Sequence, residues 1–351
     1  MKPFAKHLLT SAMGNPTINS LLVGLGAGMV LISITSQEPI HAFTSFFGGP
    51  FSSPFFIGNW LSLSIPYILT GLAASVSFSV SSFNLGLEGQ VYVGAFIGSW
   101  VGLQWGGQHE WLGIVLALAA AFLCGGLIAF LSSWWKRTRG FSEMISSFMV
   151  GYILILVIDH FLEGPMRDPV SGLISTRFVT EGFRFSRIFP PSDLHSGLWI
   201  SLGTAVTLFF LLRFTSGGYA LRMVGKNRTF ARYGGISVQR VLFWGMILSG
   251  GMASLAGVVD VFGVHGRMIR GFSAGYGWNG IAIALIARTH PIGVIPSALL
   301  FAWLDIGAQY ASMMSDITPE IARMIQGIIF YGITAQSLFR WFQFRKREGE
   351  A

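Results

Sequence analysis

About ten apolar stretches, most of them close to twenty residues long, run along the chain near 18–36, 61–82, 89–104, 112–135, 143–162, 195–214, 239–260, 276–288, 293–312 and 320–341. No other feature limits the fold as tightly. In hydrocarbon every backbone N–H and C=O must be satisfied without water, which leaves helices and closed barrels. Runs of ~20 residues fit helices, because barrel strands are ~10 residues long and alternate apolar with polar. The composition agrees: of 351 residues, 52% are hydrophobic and only 11% charged, with a mean hydropathy of +0.61. That is too little charge to cover a soluble globule. The expectation is an all-α integral membrane protein of about ten transmembrane helices, with residues 1–351 as one transmembrane domain.

An even number of spans puts both termini on one side, and Lys/Arg bias then chooses the side. With the N-terminus cytoplasmic, the inner segments hold Lys2 and Lys6, Lys136, Arg137 and Arg139, Arg213, Arg222, Lys226, Arg228, Arg232 and Arg240, then Arg340, Arg345, Lys346 and Arg347. The opposite side holds Arg167, Arg177, Arg184, Arg187, Arg267 and Arg270. The first apolar run resembles a signal sequence, but no small-x-small cleavage site ends it at "ITSQEP", so it reads as an uncleaved span. The net charge of +8 follows this topology, and no nucleic-acid partner is expected.

Three segments between spans stand out. Residues 41–59 are aromatic with Gly and Pro and suit an outer membrane-surface loop, and 163–194 is the longest outer segment, rich in turn residues. Residues 216–240 are cytoplasmic and basic, with Gly-Gly pairs bracketing a short amphipathic stretch. Tyr219, Met223, Phe230 and Tyr233 supply apolar anchors there. Such a stretch either docks in a groove on a soluble partner or lies against anionic headgroups.

The chain lacks the usual signatures of enzyme chemistry. "RMVGKNR" has Gly225 and Lys226, but Asn227 stands where a phosphate loop needs Ser or Thr, and the upstream glycine is missing. The seven His have no metal-ligand spacing, and the single Cys124 excludes an internal disulfide. No cofactor is expected in this chain, and any ATP and magnesium belong to a partner.

Polar groups interrupt the apolar pattern in two places. "SSFNLGLEGQVYVGAF" (81–96) carries Asn84, Glu88 and Gln90, with Gly86 and Gly89 placed to break a span. Ionisable groups at membrane depth cost roughly 2.5–3.5 kcal/mol on insertion scales and default to a functional reading. Two readings stay open: a pathway or gating group, or a cap and structural network. "GFSAGYGWNG" (271–280) suits a broken segment near the outer mouth, where Ser273, Tyr276, Trp278 and Asn279 either meet a flat ligand or anchor the interface. Ser142 and Glu143 most simply form a helix N-terminal cap, with contact to an ATPase as the lesser reading, Asp159 and Asp260 end their spans in solvent on the outer side, and Asp305 is deep enough to bond across helices. The pairs Gly24/Gly28 and Gly94/Gly98 have the spacing that lets helices approach closely.

Three ordered blocks carry a family resemblance: "FNLGLEGQVYVGA" (83–95), "FSEMISSFMVGYI" (141–153), and 218–308, which opens "GYALRMVGKNRTFARYGGISVQR" and contains "GIAIALIARTHPIGV". Together they resemble the permease subunits of ATP-binding-cassette importers for nucleosides and simple sugars, closest to the longer permease of the nucleoside branch. Trp278 and Asn279 depart from the pattern, an acidic residue being frequent at the latter position. The resemblance implies a type II importer fold with broken or re-entrant segments in a bacterial cytoplasmic (inner) membrane. It also implies a second permease of different sequence, a substrate-binding protein outside, and ATPase subunits that hold ATP and magnesium. The 218–236 segment would be the coupling helix, with Arg222, Gly225, Asn227, Arg232 and Gly235 as its residues. Nucleosides, purines and riboflavin lead as substrates, then simple sugars. An ion-coupled carrier is the alternative of another class, but it offers only Glu88 and Asp305 as intramembrane charges and leaves the basic segment unexplained. A receptor or scaffold is disfavoured by the small loops.

Overall fold

The computed structural model describes residues 16–105 and 109–332. Lys2, Lys6, Arg340, Arg345, Lys346 and Arg347 of the charge argument lie outside them. The described residues are built of helices: α1 Pro16–Thr35, α2 Pro39–Gly48, α3 Pro54–Ser79, α4 Leu87–Gln104, α5 Glu110–Arg139, α6 Glu143–Glu163, α7 Gly197–Phe214, α8 Ser216–Lys226, α9 Arg228–Tyr233, α10 Val238–Asp260, α11 Tyr276–Ile286 and α12 Pro291–Met314. A further helix covers 320–332. Six of them are long and apolar enough to cross a membrane: α3, α5, α6, α7, α12, and α10 with its extension to His265. Of the other four expected spans, 18–36 and 89–104 fall on α1 and α4, 276–288 falls on the 11-residue α11, which is too short to cross alone, and 320–341 is helical as far as residue 332, its remaining residues lying outside the described ones.

The chain divides into two compact units, one of Met1–Ile57 with Phe301–Ala351, the other Gly58–Leu300. In the first, Gly24 and Gly28 of α1 lie where a Cβ would run into Ile329 and Ile325 of the 320–332 helix. This is the close approach that their spacing predicts. The Asp316 carboxylate accepts from Ser36 Oγ and from the Gln37 amide, both at 2.6 Å, and fastens the far end of the same pair. Residues 41–59 are not the surface loop expected from their aromatics and turn residues. Pro39 starts α2, whose Ala42, Ser45 and Phe46 recur on one buried face, a 3₁₀ turn covers Gly49–Phe51, and Pro54 starts α3. Here proline opens helices rather than ending them.

The second unit is organised around α10, which packs against α4 and α5. Glycine makes this possible. A Cβ on Gly94 would overlap the Ser254 carbonyl, one on Gly257 the Val91 carbonyl, and those on Gly125 and Gly250 each other's backbone. Backbones this close exchange dispersion contacts that any side chain would push apart. Beyond α10 a π-helical turn, Val261–His265, ends at left-handed Gly266. The segment after α6 is strapped along it: Val179 N–H donates to Gly266 O (2.8 Å), Phe185 N–H to Phe262 O (2.8 Å) and Thr176 N–H to Met268 O (2.9 Å). Phe183 is fully buried beneath this strap, edge-on to Phe262.

Candidate functional site: two helix starts that meet at Glu88

Between α3 and α4 the chain runs non-helically over 80–86. Ser81 is left-handed there, with φ 53°, and that residue rather than glycine turns the chain. Gly86 has φ −86°, so its role is spatial. A Cβ on Gly86 would strike the Ser147 carbonyl, and one on Gly89 the backbone of Gly151, so α4 starts in contact with the bare backbone of α6. The glycines read as helix breakers are spacers.

Asn84 and Gln90 close this turn from within. Asn84 Nδ2 donates to Gln90 Oε1 (2.9 Å) and Ser249 Oγ (3.0 Å), while Asn84 Oδ1 accepts from Gln90 Nε2 (3.2 Å) and the Gly86 amide (3.1 Å). Ser254 Oγ donates to the Gln90 carbonyl at 2.7 Å. Asn84, Gln90 and Ser249 are all buried. Paired amides satisfy each other where water cannot reach, and Asn84 uses both its N–H groups and accepts two bonds within the protein. Ser249 lies eleven residues along α10 from Val238, or about 16 Å at 1.5 Å per residue, roughly half a bilayer's hydrocarbon thickness.

The second break follows the π turn. Gly266, Gly271, Ala274 and Gly275 take φ of 63°, 73°, 45° and 98°, a run of left-handed residues that no helix can include, and α11 starts at Tyr276. Glu88 receives it. Its carboxylate accepts from the Gly277 amide (2.6 Å), the Gly275 amide (3.2 Å) and the Ser273 hydroxyl. Gly277 also has no room for a Cβ against Glu88 N, so the two helix starts touch. Glu88 stands in the first turn of α4 and binds the orphan amides at the start of α11. One carboxylate thus lies at the positive ends of two helices, the place where negative charge is most stabilised. It remains partly exposed, whereas Ser273 is buried. Sequence reading expects either a pathway group or a cap of the adjoining span, and the helix Glu88 caps is 188 residues further on (276 − 88).

The remaining aromatic and amide groups divide by direction. Tyr276 is buried, edge-on to Tyr67 at 5.6 Å, with its hydroxyl 3.3 Å from Asp260 Oδ1. Asn279 Nδ2 donates to Tyr67 Oη at 2.8 Å. Trp278 is 47% exposed beside Phe148, ring centres 5.9 Å apart, and Phe148 in turn lies 6.4 Å from Tyr152 at 23°. Of the ring-bearing residues in 271–280 that sequence reading named, Trp278 is the one that faces outward. Asp260 is not solvated: it is buried, with His265 Nε2 3.2 Å from its second oxygen. The Ser142 side chain makes no capping bond, and Glu143 is instead buried and paired with Lys136 at 2.8 Å. Tyr67, Ser249, Ser254 and the Asp260–His265 pair were not singled out for this site from the sequence. A usable signal was the recurrence of Gly-x-(Glu/Asn)-Gly, as Gly86–Gly89 and Gly277–Gly280, each at a helix start.

The basic segment 216–240 folds as two short helices broken at Asn227. Thr215 Oγ1 accepts from Gly218 N–H (3.0 Å) to cap α8, and Asn227 Oδ1 accepts from Phe230 N–H (2.9 Å) to cap α9. Arg222 donates to the Leu212 carbonyl, Gly225 sits against the Ser79 carbonyl, and Gly235 closes α9 at φ 77°. Four of the five residues named for this segment therefore fix its shape. The fifth, Arg232, is exposed with Lys226, Tyr219, Phe230 and Tyr233, the last at 89%.

Comparison with known proteins agrees with this architecture. Over 325 residues the chain is 28% identical to the guanosine ABC transporter permease protein NupP of Bacillus subtilis, covering 92% of this chain and 93% of that one. It is 30% identical over 331 residues to the probable riboflavin import permease protein RfuC of Treponema pallidum (93% and 87% covered). With the glucose ABC transporter permease protein TsgB13 of Haloferax volcanii it shares 26% over 348 residues (95% and 90%). The model of the branched-chain amino acid transport system permease component matches residues 56–334, and the chain belongs to that family.

Proposed function

We propose that this chain is a transmembrane subunit of an ATP-driven importer. With a second permease, most simply a different chain, it forms the path for a nucleoside-like solute: a nucleoside, a purine or riboflavin. Solute arrives on a substrate-binding protein outside, and ATPase subunits inside hold ATP and magnesium. Six helices able to cross, four further apolar helices and the Lys/Arg bias support ten crossings with both termini cytoplasmic in a bacterial inner membrane. Kinship along nine-tenths of the chain with permeases named for guanosine and riboflavin supports the substrate class. The glucose permease among the relatives favours one second reading, a simple sugar.

The observation that carries the coupling half of the proposal is the exposed face of α8–α9. Tyr219, Phe230 and Tyr233 stand out beside Lys226 and Arg232 on a segment capped at both helix starts. Rigid aromatic anchors with cations suit a protein groove. Glu88 then holds the start of α11 in the pathway wall, Asn84 and Gln90 hold the turn behind it, and Trp278 offers a flat face to a heterocyclic ring. The test is purification from the native membrane. ATPase subunits should accompany the wild-type chain, and Tyr233→Asp with Phe230→Asp should release them while leaving the chain inserted. Retention of the ATPase by that double variant would refute the docking face.

A further inference from the structure

The α8–α9 junction and the turn leading to Glu88 share hydrogen bonds, and the two ends of that turn are held by different parts of the molecule. Arg228 Nη2 donates to the Ser81 carbonyl at 2.6 Å, and Ser81 Oγ donates to the Gly225 carbonyl at 2.8 Å. Gly225 has no space for a Cβ against the carbonyl of Ser79. The buried Val80 fills the gap above Gly245 and Leu221. Three residues on from Ser81, Asn84 joins Gln90 and Ser249, and at the next residue the Leu85 amide donates to Ser147 Oγ (3.0 Å). Three residues of extended chain span at most about 10 Å, so a shift at Ser81 has little slack before it reaches Asn84.

Ser81 itself is held in a conformation that a non-glycine residue avoids. Such a residue persists where its surroundings over-determine it, and here both its hydroxyl and its carbonyl are bonded to the α8–α9 junction. Arg228 also places its cation beside the C-terminal end of α3, where the last carbonyls and the helix dipole favour it. The Ser81 hydroxyl bonds to Gly225 and the Arg228 guanidinium to Ser81, rather than to Asn84, Glu88 or Gln90. We propose that Ser81 and Arg228 are positioning residues for transport, forming the joint through which displacement of α8–α9 moves the Asn84–Glu88 turn and, through Glu88, the start of α11. The proposal rests on the importer reading above and adds the residues that carry the motion.

The experiment uses the whole complex reconstituted in liposomes with its ATPase, second permease and binding protein. It reads ATP hydrolysed per solute imported, together with ATPase retention. Arg228→Ala and Ser81→Gly are the variants; glycine accepts the left-handed φ, so the turn is kept while the hydroxyl bond is lost. Each should retain its ATPase subunits yet raise the ATP consumed per solute: Arg228→Ala about tenfold or more, the factor worth one charge-assisted hydrogen bond, and Ser81→Gly about fivefold, the factor worth one neutral bond. The double variant should be no worse than Arg228→Ala alone, since both act through one joint, and Arg228→Lys should restore part of the loss. Wild-type ratios in both single variants, or strictly multiplicative effects in the double, would overturn the joint. If the wild-type complex shows no ATP-dependent uptake at all, the importer reading falls first and the joint with it.

Discussion

Replacing Glu88 with Gln tests the convergence of two helix starts on one side chain. In the native chain Glu88 Oε1 serves Ser273 and Gly275, and Oε2 serves Gly277. Glutamine has one carbonyl oxygen, so its NH₂ must face a donor on one side or the other. The best placement keeps Ser273 and Gly275 and orphans the Gly277 amide, at about 1–3 kcal/mol. The surviving bonds drop from charge-assisted to neutral, losing about 1 kcal/mol each. The loss of negative charge at a helix start forfeits about 0.3–2 kcal/mol more. Against this, a neutral side chain avoids a carboxylate's cost at membrane depth, about 2.5–3.5 kcal/mol. The losses, about 3–7 kcal/mol together, outweigh that gain by about 0–4 kcal/mol, and the deficit falls on the start of α11 rather than on the packing of the other helices. Glu88→Gln should therefore insert and assemble normally, exchange amide hydrogens faster at Gly275–Asn279, and import solute about ten- to a hundredfold more slowly. Glu88→Asp, one methylene short of Gly277, should fall between. The assay pairs hydrogen exchange with uptake in liposomes. Unchanged exchange at Gly275–Asn279 together with unchanged uptake would show that the carboxylate does not hold that helix.

Other consequences follow from the packing. Gly94→Ala must displace the Ser254 carbonyl and should destabilise the second unit by about 1–3 kcal/mol or more, read as a lower melting temperature in detergent. Gly203→Ala, within α7 and facing open space, serves as the control and should melt at or slightly above the wild-type temperature, by about 0.5–1 kcal/mol of helix propensity. Asp316 is held below the ordinary carboxylate range by its bonds to Ser36 Oγ and the Gln37 amide. A carboxyl with a lowered folded-state pKa lends stability above its unfolded value near 4 and loses it as pH falls through the folded one. Asp316→Asn should therefore flatten the acid side of the stability–pH curve, and an unaltered acid limb would contradict the assignment.

The expected spans that fall on described residues coincide with helices because hydropathy is a local property that the chain must satisfy residue by residue. The failures share a different cause. Whether Gly86 and Gly89 break a helix or clear space for α6 depends on a neighbour some sixty residues away. The partner of Glu88 is a helix start 188 residues along (276 − 88), and the one trace of it in the sequence is the motif shared by Gly86–Gly89 and Gly277–Gly280, which says nothing of contact. Asp260 looks like a solvated span end until the π turn brings His265 back over it. Asn227 was legible as part of a family motif, but its physical role as the cap of α9 shows only when the helix break is seen. Proline misled at 41–59, since it marks helix starts as readily as loops.

The central claim is that a separate ATPase, acting through α8–α9, drives solute through this chain. The direct measurement is uptake of radiolabelled guanosine, riboflavin and glucose into proteoliposomes holding the complete complex, with and without the ATPase subunits and with ATP inside or absent. The account predicts accumulation of one of the flat heterocyclic solutes only when ATPase and ATP are both present. Accumulation that persists without the ATPase and follows an imposed ion gradient would contradict it.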